Sequence, residues 1–210
     1  MESPGLKDRF SRQTILPGVG AEGQAKWESA SVQLAGEGSA LEAAQTALSR
    51  SGLSRLKLLD PQEKAGLSPV GLILVVTRDS DWRRRLNRQV RSTAQAALFA
   101  WRGGSGFSLF LKDSSKGCPC LECFEASNPK AFSAPVGKAA EISAGEFALD
   151  RIMGAMAATE ALQWILRGTS PLEGKVWMNS FEDGLSLQHE VRASANCPAA
   201  SSEAGKAPIP

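Results

Sequence analysis

The stretch that most constrains the fold runs from Ser31 to Asp60. Val32 and Leu34 begin a short apolar strand, Gly36 and Gly38 make a turn, and Ala40 to Leu48 form an alanine-rich helix. Arg55-Leu-Lys-Leu-Leu-Asp60 then reads as a second strand ending in an acid. Strand, glycine turn, helix, strand is the βαβ unit of nucleotide-binding sheets. In such a unit Gly36 and Gly38 let the backbone approach a ligand. The helix N-terminus offers free N–H groups to an anion, and Asp60 stands where a ribose-contacting carboxylate is expected. The glycine pattern is incomplete, because the third glycine of G-x-G-x-x-G falls on Leu41. A phosphate-binding turn and a plain βαβ turn both remain open on these residues.

Composition narrows the class. A chain of 210 residues with 42% hydrophobic and 22% charged content can bury one real core. A net charge of +2 argues against a dedicated nucleic-acid binder. No apolar run reaches membrane-spanning length, and the N-terminus lacks a signal-peptide core, so the expected location is the cytoplasm, with no membrane contact. One histidine, His189, and no tyrosine leave little material for triad or histidine acid–base chemistry. His189 itself reads as a strand side chain.

Upstream of the first strand come Arg9-Phe-Ser-Arg-Gln, Ile15-Leu-Pro and Gly20-x-x-Gly-Gln-x-Lys26. Arg9 and Arg12 share a face if this stretch is helical. The segment reads either as a solvated arm or as one that delivers an arginine to a phosphate. It resembles the opening of the ThiF/MoeB/HesA family, relatives of the ubiquitin-activating enzymes. That resemblance implies a turn that binds ATP and adenylates the C-terminal glycine of a small ubiquitin-like carrier. Gly36 and Gly38 match the first two family glycines, with Ser39 and Leu41 where later ones are expected, and Ser51 to Asp60 matches the second strand and its acid.

Residues 61–71 are all that separate Asp60 from the strand Leu72-Ile-Leu-Val-Val-Thr77, where the family has a longer insert whose Ser-Asn-x-x-Arg-Gln element and lysine contact ATP phosphates. Lys64 is the one lysine in this short loop. Without the insert, neutralisation of phosphate charge is weak. After the strand the family carries an aspartate that helps hold magnesium. Here an ungapped match places Arg78 at that acid, and a one-residue slip places Asp79 there, which makes Asp79 the candidate. The helix from Ser80 to Ala94 carries Arg84, Arg88 and Arg91 on one face, either solvated or a contact for an acidic partner. Two strands follow, from Gln95 to Trp101 and from Gly106 to Lys112, around Gly103-Gly104.

Gly117-Cys-Pro-Cys-Leu-Glu-Cys123 contains Cys120-x-x-Cys123, half of a zinc knuckle; unliganded thiols and a redox pair are the other readings. The resemblance implies a second Cys-x-x-Cys near the C-terminus. The chain has Cys197-Pro-Ala-Ala200, so the fourth ligand position falls on Ala200 and Cys118 is the substitute. Relatives that form a thioester or persulfide carry a nucleophilic cysteine between residues 125 and 146, and this chain has none there. Phe147 to Gly168 is the strongest helix pattern, with Glu160-Ala-Leu matching a family element. Lys175 to Ser180 and Leu185 to Val191 form a final hairpin around Asp183-Gly184.

The expected fold is therefore α/β: a Rossmann-like, mostly parallel sheet with helices on both faces and a late antiparallel extension. One domain is expected over 1–193, with an arm over 1–30 and a flexible tail over 194–210. The resemblance implies ATP and magnesium on Gly36, Gly38 and Asp60, with Arg12 and Asp79 as catalytic candidates. Zinc is expected on Cys118, Cys120, Cys123 and Cys197. Implied partners are a ubiquitin-like or sulfur-carrier protein and a second subunit, as a homodimer or as a heterodimer with a full-length relative. With the phosphate-binding elements reduced, the expected role is a degenerate partner subunit of an adenylyltransferase. The alternatives are an active adenylyltransferase with a shortened site and a peptide-binding scaffold like the leader-binding subunits of azoline-forming cyclodehydratases, which resemble this chain at Cys118-Pro-Cys-Leu-x-Cys.

Overall fold

The computed structural model describes residues 9–60, 71–93, 95–113, 119–128, 144–194 and 197. Helices α1 (Ser11–Thr14) and α2 (Gly20–Ser29) precede strand β1 (Ser31–Gly36). Then come α3 (Gly38–Arg50), β2 (Arg55–Leu58), β3 (Leu72–Val76) and α4 (Ser80–Thr93). Strands β4 (Ala96–Gly103) and β5 (Gly106–Asp113), helices α5 (Leu121–Ser127) and α6 (Ala144–Arg167), and strands β6 (Lys175–Ser180) and β7 (Leu185–Glu190) follow among the described residues.

The strands make a seven-stranded sheet in the order β2-β1-β3-β4-β5-β6-β7. β2, β1, β3 and β4 pair in parallel, and β5, β6 and β7 add in antiparallel fashion. The α/β architecture with its late antiparallel extension is as the sequence predicts. β3 is buried at every position, which its unbroken run of Leu, Ile and Val requires of a central parallel strand.

Alternate residues of the central strands face two cores. Leu34, Leu74, Leu98 and Leu109 pack with Trp27 of α2, with Ala44 and Leu48 of α3, and with Met153, Ala157 and Ala161 of α6. Ile73, Val75, Phe99 and Phe110 pack with Trp82, Leu86 and Val90 of α4 and with α5. Helix α3 thus leaves β1 onto one face and α4 leaves β3 onto the other. The chain reverses between β1 and β3, the position at which open α/β sheets hold ligands beyond their strand ends.

The helix pair on the first face is close. A Cβ on Gly154 of α6 would overlap the carbonyl oxygen of Ala40 in α3, so only glycine permits this approach. Helix α6 packs on both the sheet and α3 through Met153, Ala157 and Ala161, while Phe147 and Ile152 on its other side are exposed.

From Arg9 onward the N-terminal segment is folded against the domain, so the solvated-arm reading does not hold for it. Val19, Gly23 and Trp27 recur at helical spacing on one face of α2. Gly23 meets Leu166 of α6, and the Trp27 indole donates to the Leu162 carbonyl at 3.0 Å. Phe10 is also buried. Among the described residues, no helix is long and apolar enough to cross a membrane.

Candidate functional site

The crevice at the chain reversal is built from the tips of β1, β3 and β4. Gly36 ends β1 with φ at +155°, and a Cβ there would overlap the Val76 carbonyl of the neighbouring strand. Its glycine is therefore required by strand packing, whatever else it serves. Gly38 begins α3 with φ at +70° and open space beside it. Leu34 pairs with Leu58, so Asp60, two residues further along, comes level with Gly36 at the same edge. The register thus sets Gly36 and Asp60 at the same end of neighbouring strands, with Gly38 opening the helix that follows β1.

The remaining polar groups bridge the crevice. Thr77 Oγ1 donates to Glu37 Oε1 at 2.9 Å, within 3.0 Å of Oε2 as well, and the Arg78 backbone N–H donates to Oε1 at 3.0 Å. Glu37 thereby ties the tip of β1 to the tip of β3. Asp79 stands at the same tip. Its Oδ1 accepts the backbone N–H groups of Asp81 at 2.8 Å and Trp82 at 2.9 Å, which makes it the N-terminal cap of α4. The Arg78 guanidinium donates to Asp150 Oδ2 at 2.6 Å, and Arg102 donates to Asp150 Oδ1 at 3.2 Å. Beside this cluster lies a groove of about 470 Å³, lined by Arg102, Ser105, Leu149, Ile152 and Phe181.

Arg12 is elsewhere. Gln13 Nε2 donates to the Arg50 carbonyl at 3.4 Å, which fixes α1 at the C-terminal end of α3. Helix α3 has thirteen residues, so Arg12 is roughly one helix length, about 18 Å, from Gly38. Within one chain, Arg12 and the glycine turn are not brought together.

The second candidate is the cysteine cluster on the opposite face. Cys120 Sγ lies 3.7 Å from Cys123 Sγ and 3.5 Å from Cys197 Sγ, and all three are buried. Four sulfurs bound at about 2.3 Å around a tetrahedral zinc lie about 3.8 Å apart, so the three thiols fit that ion. Among the described residues they form a group able to hold a metal. Burial pushes the Cys120 thiol up to about 12, so it stays protonated unless a cation draws off its proton. Cys118, the fourth expected ligand, lies outside the described residues, as does Lys64. Arg91 reaches the cluster, with Nη1 3.3 Å from Cys197 Sγ. Zinc held by Cys120, Cys123 and Cys197 would fasten α5 to the C-terminal segment, a structural role.

The arginine face of α4 serves this cluster. Arg84 Nε donates to Glu125 at 2.7 Å, and Arg88 Nη2 donates to Glu122 at 2.6 Å. These bonds hold both guanidinium groups above their ordinary range. Arg83 is buried over the Trp101 ring, and burial lowers its pKa while Glu125 opposes the shift. Asn87 accepts the Leu121 N–H at 3.2 Å. Arg84, Arg88 and Arg91 thus hold α5 and the cysteines, which corrects the reading of that face as solvated or free for an acidic partner. His189 lies in β7 with its ring edge-on to Phe124, as a strand side chain.

Sequence reasoning missed Asp150 and Arg102, and it missed Glu122 as an arginine partner. One signal was present for Asp150: it breaks the apolar pattern of α6 between Leu149 and Ile152. The residues that meet it, Arg78 and Arg102, are distant in sequence and carry no motif.

No protein-family model matches this sequence, and no curated protein matches it. Solved structures do match the fold. A heterocyclase solved in complex with substrate and cofactor is 20% identical, with 94% of this chain and 29% of that chain covered, at a TM-score of 0.64. The heterocyclase TruD is 17% identical, with 94% and 31% covered, at 0.63. The chain spans about a third of the length of these heterocyclases or less. E. coli MccB with MccA-N7isoASN is 13% identical, with 93% and 74% covered, at 0.68, and MccB has also been solved with ATP. At these identities the likeness is one of fold alone, the Rossmann-like α/β fold seen in MccB.

Proposed function

We propose that this chain is a non-catalytic, ThiF/MoeB-like subunit that recognises a peptide or carrier-protein segment for an adenylating partner. The observation that carries this reading is the crevice at the chain reversal. Its glycine turn is retained, yet Glu37 spans it to Thr77 and Arg78, and Asp79, the magnesium candidate, has its Oδ1 engaged as the cap of α4. A carboxylate at Glu37 opposes a triphosphate electrostatically. Arg12, remote from its own crevice, suits delivery to the site of a second subunit. The groove beside Arg102, walled by Leu149, Ile152 and Phe181, offers an apolar surface to an extended segment.

The likeness to heterocyclases over 94% of the chain favours one second reading, a peptide-binding scaffold within a heterocyclase-type assembly. E. coli MccB has been solved with MccA, and a peptide or protein segment is the partner in either reading. The test is carrier-dependent ATP–pyrophosphate exchange by the purified chain, together with calorimetry of ATP with and without magnesium. No exchange and no binding are expected. Exchange by the chain alone would overturn the reading in favour of an active adenylyltransferase with a shortened site.

A further inference from the structure

Asp150 is the most enclosed acid at the crevice, with a side chain only 6% exposed. It comes from α6, yet both its carboxylate oxygens are held by arginines from the sheet tips. Arg78, just past β3, donates to Oδ2 at 2.6 Å, and Arg102, from β4, donates to Oδ1 at 3.2 Å. Ser39, in the first turn of α3, lies 3.4 Å from Oδ2. Two guanidinium groups and a hydroxyl converging on one pair of oxygens is how proteins bind phosphoryl groups. The other acids nearby do not share this position. Glu146 is 4.0 Å from Arg102 Nη2 and half exposed, and Glu37 is directed to Thr77 and the Arg78 backbone. Arg102 is further held by the carbonyls of Glu146 and Gly104, so it stays in place without Asp150.

We propose that Asp150 is a built-in counter-anion. Its carboxylate takes the position of a phosphoryl oxyanion between Arg78 and Arg102 and closes that position to soluble anions. This deepens the non-catalytic reading, because it gives the reason a retained glycine turn would fail to hold a polyphosphate. It also assigns what the pocket would bind once Asp150 is neutralised: an inorganic polyphosphate such as pyrophosphate.

The experiment is thermal unfolding of the full chain and of Asp150→Asn, with and without millimolar pyrophosphate, against sodium chloride of equal ionic strength. The wild type is expected to show no shift beyond the salt control. Asp150→Asn is expected to melt lower and to regain about 5 °C or more when pyrophosphate reaches a hundred times its Kd. Asp150→Asn/Arg102→Gln should lose at least tenfold in pyrophosphate affinity relative to Asp150→Asn. A pyrophosphate shift in the wild type equal to that of Asp150→Asn overturns the proposal, as does a folded Asp150→Asn that ignores pyrophosphate. If Asp150→Asn does not fold, Asp150→Asn/Arg78→Gln, which sheds the surplus charge, replaces it. Its response must then exceed that of Asp150→Asn/Arg78→Gln/Arg102→Gln, and equal responses overturn the proposal. A wild type that binds pyrophosphate but catalyses no exchange would sink the counter-anion and leave the partner role standing. Exchange by the wild type would sink both, because exchange requires the chain to bind pyrophosphate.

Discussion

The pair Arg88–Glu122 allows a prediction whose sign runs against intuition: removing the exposed partner should harm the protein more than neutralising the buried one. The Arg88 side chain is 46% exposed, and that of Glu122 only 4%. Arg88 Nε lies 3.0 and 3.2 Å from the two carboxylate oxygens, and Nη2 lies 2.6 Å from Oε1. In Arg88→Ala the carboxylate stays buried, with the Asn87 amide at 3.3 Å as its remaining donor among these contacts. Stripping the partner from a buried charge costs about 3–5 kcal/mol, and the lower end, about 3 kcal/mol, applies because Asn87 stays. In Glu122→Gln the amide oxygen still accepts from Arg88, and the half-exposed guanidinium regains water, so about 1 kcal/mol is lost. The difference of about 2 kcal/mol corresponds to roughly 4–8 °C in Tm for a chain of this size. Thermal and urea unfolding of both variants and of Arg88→Ala/Glu122→Gln checks it. The double variant should be more stable than Arg88→Ala, because it no longer buries an unpaired charge. Arg88→Ala equal to or better than Glu122→Gln, or a double variant worse than Arg88→Ala, would refute the reasoning.

Two further outcomes are expected. Elemental analysis of the purified chain should find about one zinc per chain, and Cys123→Ser should lose the metal and lower Tm, since structural zinc contributes folding free energy directly; a metal-free wild type would leave the cluster as buried thiols. Gly154→Val should destabilise by about 2 kcal/mol or more, because its Cβ would overlap the Ala40 carbonyl where α6 crosses α3, whereas Gly145→Ala, with open space at its Cβ, should be near neutral in the same unfolding assay.

Much of the fold was legible because it is written in local patterns. The glycine turn between Val32 and Leu48, the continuous apolar run of β3 and the Asp183-Gly184 hairpin each have a period or a turn residue that acts over a few positions. The Cys-x-x-Cys spacing likewise puts two sulfurs on one knuckle without reference to the rest of the chain. The N-terminal segment was harder to read. The stripe of Val19, Gly23 and Trp27 is helical, but its burial depends on α6, more than a hundred residues away.

The sequence alone determined that residues 31–60 form a βαβ unit, that the sheet continues through β3, and that Cys120 and Cys123 have the spacing of half a zinc knuckle. Only the tertiary structure decided which charges meet. Arg84, Arg88 and Arg91 of α4 look like one basic face in sequence, yet Arg84 and Arg88 end on acids of α5 and Arg91 ends on Cys197. Asp150 looks like a stray acid in an apolar helix, yet its two oxygens join Arg78 to Arg102. The reason is one of range. Backbone propensity and side-chain period act between neighbours in the chain, while a buried charge takes its partner from whatever element the fold packs against it.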